Sequence, residues 1–307
     1  MEKVIVVIGP TSVGKTKMGV ALAKKFNGEV ISGDSMQIYK QMDIGTAKVT
    51  EEEKEGIIHH CVDILNPDET YSVHDFQQTV RKKITEITQR GHVPIIVGGT
   101  GLYIKAALYD YQFDEMENDH HAINEKYKDY TNEQLHDHLK SIDEESAKIL
   151  HFNNRRRVLR AIEIYETTGK RKSEMLEEQE HICLYDAYFV GLTLPRDVLY
   201  ERINKRVDVM MENGLKKEME RLYSQGLTRN HQSMKAIGYK EWFDYYDHQI
   251  DLNDVLELIK KHSRQYAKRQ YTWFKNQFNV HWYDVNLENF EQTIEQVTDD
   301  IEKILKV

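Results

Sequence analysis

The stretch Gly9-Pro10-Thr11-Ser12-Val13-Gly14-Lys15-Thr16 limits what this chain can fold into more than any other, because it meets the pattern G-x-x-x-x-G-K-[ST] in full. The apolar run Val4-Ile5-Val6-Val7-Ile8 leads into it, and Met18, Ala21, Leu22 and Phe26 lead out at helical spacing. Strand, glycine loop and helix in that order form the setting in which the pattern has a mechanism. The glycines let backbone N–H groups turn in around an anion, and the helix N-terminus adds partial positive charge. Lys15 adds a full charge, and Thr16 can offer its hydroxyl to Mg²⁺. The loop is therefore expected to hold a pyrophosphate-like group, whose owner the loop does not specify.

The residues that follow continue a strand-and-helix rhythm. A short strand over 29–32 runs into Gly33-Asp34-Ser35, and Asp34 then stands at the carboxyl edge of a parallel sheet, where ligands bind. It can face the anion held by Lys15, or it can simply cap the next segment; the pattern leaves both open. A third strand is expected over His59–Ile64, with His59, His60 and Cys61 as half-buried strand residues, since neighbours in a strand point to opposite faces and cannot share a metal. Ser72 with Asp75 starts a helix carrying Phe76, Val80, Ile84 and Ile87 on one face. The strand Pro94–Val97 opens into Gly98-Gly99-Thr100-Gly101, a second glycine-rich turn at the same sheet edge. Two such turns make a two-walled cleft, with Thr100 in one wall.

From 114 to 185 the rhythm stops. Polar, helix-like sequence carries Leu135, Leu139 and Ile142 on one face, and Ile149 and Leu150 begin another apolar group. The pairs His120-His121 and His136-x-His138 are expected to be solvated. Asn154 precedes Arg155-Arg156-Arg157-Val158-Leu159-Arg160, a helix start that places Arg157 and Arg160 on one face, suited to phosphate, with Val158, Ile162 and Tyr165 inward. A fifth strand is expected over Tyr188–Leu194, followed by a helix with Arg202, Lys205 and Arg206 on its polar side; any one of the three could reach the anion. Between Ile259 and Tyr283 there is no Asp or Glu, while Lys260, Lys261, Arg264, Lys268, Arg269 and Lys275 alternate with Tyr266, Tyr271, Trp273, Phe274 and Phe278. Cations neutralise phosphates and aromatic faces stack on unpaired bases, so this segment suits RNA on one side and a core on the other. An amphipathic helix closes the chain.

The expected architecture is α/β: a P-loop-type parallel sheet flanked by helices over 1–113 and 186–307, with a small all-helical insertion over 114–185. A 40% hydrophobic content supports a core in a chain of 307 residues, and no apolar run is long enough to span a membrane. Two distant cysteines and the absence of a leader-like N-terminus suit the cytoplasm. The net charge of −9 speaks against nucleic acid taken alone, but the basic residues are unevenly placed. No N-K-x-D or D-x-x-G segment occurs, which argues against a GTPase. A small-molecule kinase using ATP does not need the basic–aromatic segment, and an RNA-binding module does not need the phosphate loop with Asp34 and Thr100. Together the two features favour an enzyme that modifies RNA, with the kinase as the alternative.

The phosphate loop; Ser32-Gly33-Asp34-Ser35-Met36-Gln37-Ile38-Tyr39 with Met42-Asp43-Ile44-Gly45-Thr46-Ala47-Lys48; Gly98 to Tyr103; Arg157 to Glu163; and Arg264 to Gln270 with Thr272-Trp273-Phe274 occur in one order. Arg206-Val207-Asp208 and Ala236-Ile237-Gly238-Tyr239 accompany them. The set resembles the tRNA dimethylallyltransferase (isopentenyl-diphosphate:tRNA transferase) family of bacterial type, from the first strand to about Asn279. The resemblance implies transfer of a dimethylallyl group from dimethylallyl diphosphate to the exocyclic amine of the adenosine immediately 3′ of the anticodon, releasing diphosphate. Carried onto this chain, Asp34 would take the amine proton, Lys15 would hold the diphosphate and Thr100 would sit near the leaving-group oxygen. Gly9, Thr11, Ser12, Val13, Gly14, Lys15, Thr16 and Arg206 would hold the diphosphate, with Mg²⁺ on Thr16. Asp34, Ser35, Met36, Gln37, Thr100, Arg156, Arg157, Val158, Leu159, Arg160, Gly238 and Tyr239 would contact the tRNA anticodon stem-loop, with the insertion taking part. Arg156 stands where many relatives carry Gln, which turns a base-edge contact into a phosphate contact. A monomer working in the cytoplasm, away from membranes, is expected.

Overall fold

The computed structural model describes residues 1–111, 120–177 and 181–305. Six strands form one parallel sheet in the order β3-β2-β4-β1-β5-β6, where β1 is Lys3–Ile8, β2 Gly28–Ser32, β3 His59–His60, β4 Val93–Val97, β5 Asp186–Thr193 and β6 His281–Asp284. Parallel strands covered on both faces read as unbroken apolar runs, and β1 shows why. Val4, Val6 and Ile8 pack on one face with Phe76, Val80, Ile84 and Ile87 of the helix Val73–Gln89. Ile5 and Val7 pack on the other with Met18 and Leu22 of the helix Lys15–Lys25 and Val297 and Ile301 of the helix Phe290–Leu305. The Ser72–Asp75 capping box forms as its spacing indicates.

Chain order reverses beside β1: the path runs outward through β2 and β3, returns to insert β4 between β2 and β1, and then places β5 on the far side of β1. A crevice opens at such a switch point beyond the carboxyl ends of the strands. The loops after β1, β2 and β4 therefore meet there. The turns after β2 and β4 touch so closely that a Cβ on Gly98 would lie 2.3 Å from the backbone of Gly33.

Two strands differ from the sequence reading. The third ends after His60, because Cys61 (φ 62°) and Asp63 (φ 56°) take left-handed backbone that no ladder accommodates. His60 turns to the buried Glu29, which also receives Arg90, and His59 bonds the Ile57 carbonyl oxygen. The sixth strand, His281–Asp284, was not anticipated: four residues of mixed polarity give no periodic signal, and its place comes from pairing with Val190–Thr193.

Contacts divide the chain into one unit of residues 1–109 with 183–307 and a second of 110–182. The first edge expected from sequence, residue 114, falls outside the described residues, as do the side chains of His120 and His121. The described part of the second unit is helical: His120–Lys126, Asn132–Ile142, Glu144–Ile149, Arg155–Thr168 and Lys172–Glu177. Its core gathers Ile123, Tyr127, Leu135, Leu139, Val158, Leu159 and Ile162. Asp143, 1% exposed, accepts from Ser146 N–H and from both the N–H and hydroxyl of Ser173, tying two helix starts together. Two expectations fail here. Ile149 is 81% exposed rather than part of an apolar group. His136 and His138 are bonded, the first to the Ala147 and Leu150 carbonyl oxygens and the second to the Tyr127 hydroxyl, rather than left to solvent. Among the described residues no helix is long and apolar enough to cross a membrane.

Candidate active site

The phosphate loop leaves β1 and enters the helix Lys15–Lys25 through Gly14, whose φ of 106° suits glycine. Lys15 Nζ donates to the Pro10 carbonyl oxygen at 2.8 Å, which holds the ammonium across the loop. Burial lowers its pKa to about 7, with the Arg206 charge pushing the same way and Asp34 opposing. A half-neutralised lysine of this kind is restored to full charge by an arriving anion. Ser12 takes left-handed backbone (φ 66°), and its buried hydroxyl has no hydrogen-bond partner among the described residues.

Of the three cations on the helix Arg196–Glu212, Arg206 reaches deepest. Its Nη1 donates to Thr11 Oγ1 at 3.3 Å, and burial pulls its pKa down while Glu53 and Asp34 counter. Arg202 Nε donates to the Ser12 carbonyl oxygen at 3.0 Å. Lys205 lines the same cavity, as do Lys15, Thr16 and Lys17.

Asp34 caps the turn after β2 and also stands on the wall of the cavity that holds Lys15. Oδ1 accepts from Met36 N–H at 2.8 Å and Gln37 N–H at 3.4 Å. Gln37 Nε2 donates to the carbonyl oxygens of Thr46 and Ala47, bracing the opposite wall. Thr100 Oγ1 accepts from Ser35 N–H at 3.1 Å, and its side chain also bonds Tyr266, which lines both cavities described below. It braces the Asp34 turn.

Two cavities open at this sheet edge, of about 580 Å³ and 340 Å³. Thr11, Ser12, Asp34, Thr46, Ala47, Arg206 and Tyr266 line both, so the two adjoin at Asp34. The larger encloses the phosphate loop, with Lys15, Thr16, Lys17, Arg202 and Lys205 on its wall. The smaller is bordered by Met36, Ile203, Val207 and Met210 and reaches Lys235, Gly238 and Arg269. Gly238 faces it, whereas the Tyr239 side chain is fully buried and its hydroxyl donates to Glu218.

Sequence reasoning missed three supporting residues. Gln270, 5% exposed, accepts from Thr11 N–H at 2.9 Å and donates to the Gly99 carbonyl oxygen at 3.0 Å, joining the two glycine turns. Its position four residues after Tyr266 on one helix face was the available signal. Glu218 accepts from the successive N–H groups of Asp43, Ile44 and Gly45 and from Tyr239. Lys48 Nζ, almost fully buried, binds the Tyr39 carbonyl oxygen, Asp43 and Asp63. Lys48 closes the segment Met42 to Lys48 of the family resemblance, but its bracing role has no local signal, and Glu218 stands in no such segment.

The basic–aromatic segment forms the end of the helix Leu252–Gln277 and the turn beyond it. Phe274 and Phe278 enter the core, while Lys261, Lys268, Arg269 and Lys275 are exposed. In the helical unit, taken by itself, Arg156 and Arg157 are exposed and Arg160 pairs with Glu163 at 2.8 Å. Lys172 has its pKa lowered by burial and then by Arg157 and Arg160, so these cations crowd one surface. Val158 and Leu159 are core residues there and offer no side chain to a ligand.

Residues 37–277 match the family model described as IPP transferase. The chain is 54% identical over 287 residues to the tRNA dimethylallyltransferases of Bacillus cereus (strain AH187) and Bacillus anthracis, covering 92% of this chain and 90% and 91% of theirs. Among solved structures it is similar to a tRNA delta(2)-isopentenylpyrophosphate transferase from Staphylococcus epidermidis, at 48% identity and TM-score 0.74 over 99% of both chains. A eukaryotic dimethylallyltransferase acting on tRNA aligns with TM-score 0.85 at 33% identity, covering 99% of this chain and 79% of the other.

Proposed function

The chain belongs to the IPP transferase family, and from that premise we propose how its residues carry out the reaction. It is a transferase that moves a dimethylallyl group from dimethylallyl diphosphate onto tRNA; the kinase alternative is not favoured. The acceptor in this reading is the exocyclic amine of the adenosine immediately 3′ of the anticodon. The observation that carries it is that Asp34 lines both adjoining cavities, one enclosing the phosphate loop and the other reaching Met36 and Gly238.

The diphosphate lies in the larger cavity against the N–H groups of the phosphate loop, Lys15, Thr16 and Arg206. An aromatic amine is a weak nucleophile because its lone pair is shared with the ring. Asp34 accepts a hydrogen bond from it and takes the proton as the C–N bond forms. Oδ1 of Asp34 is already engaged by Met36 N–H, which fixes the carboxylate. The allylic C–O bond breaks with its electron pair leaving on diphosphate, and Lys15, Arg206 and the loop N–H groups stabilise that charge. The target base leaves its stack to enter through the smaller cavity.

The Thr16 hydroxyl, a hard oxygen donor on the wall of the larger cavity, is the residue that would hold a Mg²⁺ there. The ion would add positive charge at the leaving group. Arg156, Arg157 and Arg160 contact tRNA phosphates in this reading, and the working form is one chain in the cytoplasm.

The test is incubation with labelled dimethylallyl diphosphate and unmodified tRNA, with ATP as the control donor. Label is expected in tRNA, at the adenosine 3′ of the anticodon. Phosphoryl transfer from ATP with no label in tRNA would overturn the reading.

A further inference from the structure

Departure of diphosphate leaves positive charge spread over two carbons of the allyl group, and the residues named so far stabilise only the anion and the amine. Tyr266 is the one phenylalanine, tyrosine or tryptophan on the described lining of either cavity, and it borders both. It stands on the helix Leu252–Gln277, and its hydroxyl donates to the Gly99 carbonyl oxygen at 3.3 Å. Gln270, one turn on, donates to the same carbonyl oxygen. The ring is thereby tethered at its far end to the glycine turn facing the phosphate loop. It already attracts a cation: the Arg269 guanidinium carbon lies 5.9 Å from its centroid.

We propose that the Tyr266 ring is a catalytic group that faces the allylic carbons at the junction of the cavities, stabilising their developing charge and keeping water from them. The face of an aromatic ring carries negative charge density, and a desolvated cation gains most from it. The balance of the step is unchanged: the C–O bond breaks with its electron pair going to diphosphate, the amine nitrogen forms the new C–N bond, and its proton passes to Asp34. Water reaching the same carbon would give dimethylallyl alcohol instead. This assignment rests on the prenyl-transfer reading above.

The test replaces Tyr266 by Phe, by Leu, and by phenylalanines bearing one to three ring fluorines, which weaken the negative face while keeping the shape. Single-turnover transfer, the KM for tRNA and the alcohol released per transfer are measured. Tyr266→Phe should stay within about threefold of wild type, and each added fluorine should slow transfer. Tyr266→Leu should lose about tenfold in kcat, with the KM for tRNA little changed and more alcohol released. A rate that does not respond to fluorine overturns the assignment, whether or not the Leu variant folds. So does a Leu variant that keeps kcat but raises the KM for tRNA, which would make the ring a stacking platform for the base. So too does a Phe variant as slow as Leu, which would place the role in the hydroxyl. Wild-type enzyme that transfers no label defeats the functional reading itself; active wild type with a flat fluorine series defeats only the role of the ring.

Discussion

Replacing Glu218 by Gln tests how the wall shared by both cavities is held. The Glu218 carboxylate is 5% exposed. One oxygen accepts from Asp43 N–H and Ile44 N–H, both at 2.9 Å, and the other from Gly45 N–H at 3.0 Å and the Tyr239 hydroxyl at 2.6 Å. Three of the partners are backbone donors and the fourth, the Tyr239 hydroxyl, can also accept. An amide whose oxygen keeps Asp43 N–H and Ile44 N–H turns its NH₂ group towards Gly45 N–H and the Tyr239 oxygen. The Gly45 N–H then loses its acceptor, at roughly 1–3 kcal/mol, and Glu218→Gln should cost about 2 kcal/mol. In a chain of this size that lowers Tm by about 3 °C. The released segment contains Thr46 and Ala47, which line both cavities, so kcat/KM should fall for tRNA and prenyl diphosphate together. Thermal melting and steady-state transfer read both effects. A Glu218→Gln variant melting within about 1 °C of wild type, with full activity, would refute the idea that this carboxylate organises the wall.

Binding of dimethylallyl diphosphate should weaken as pH rises through about 7, because the lowered Lys15 pKa means that the free enzyme loses the charge that the ligand needs. Calorimetry in buffers of different ionisation enthalpy should show proton uptake at pH 8, and Lys15→Arg, which does not titrate there, should show none. Without ligand the sign for stability is opposite: the fold favours neutral Lys15, so this group's penalty on stability grows as pH falls from the ordinary lysine range towards 7. In the helical unit, Arg157→Ala should reduce the salt dependence of tRNA binding by about one unit of slope at unchanged Tm, whereas Val158→Ala should lower Tm by emptying core volume. Filter binding at several salt concentrations, with melting of both variants, separates the two.

The phosphate loop, the strands β1, β2 and β4 and the helices between them were legible because each is signalled locally, by glycine spacing, apolar runs or a capping box. Lys15, Thr16 and Asp34 are legible from local pattern and Arg206 only through the family resemblance; all four line the larger cavity. What sequence hid was non-local. β6 exists by pairing with β5, and the third strand is cut short by backbone at Cys61 and Asp63 that residue type does not announce. Thr100 is legible as part of the second glycine turn, but its bonds to Ser35, 65 residues earlier, and to Tyr266 are set by the fold. Glu218 and Gln270 look like ordinary polar helix residues until the segments that they fasten, some 175 and 259 residues away, are brought to them by the fold.

The most direct test of the account is Asp34→Asn, which keeps the oxygen that accepts from Met36 N–H but removes the base. Single-turnover transfer from dimethylallyl diphosphate should fall by about 10²- to 10⁴-fold, while the variant binds tRNA and inorganic diphosphate nearly as wild type does. Transfer at the wild-type rate, or a loss explained entirely by weaker binding of either substrate, would contradict the assignment of Asp34 as the group that takes the amine proton.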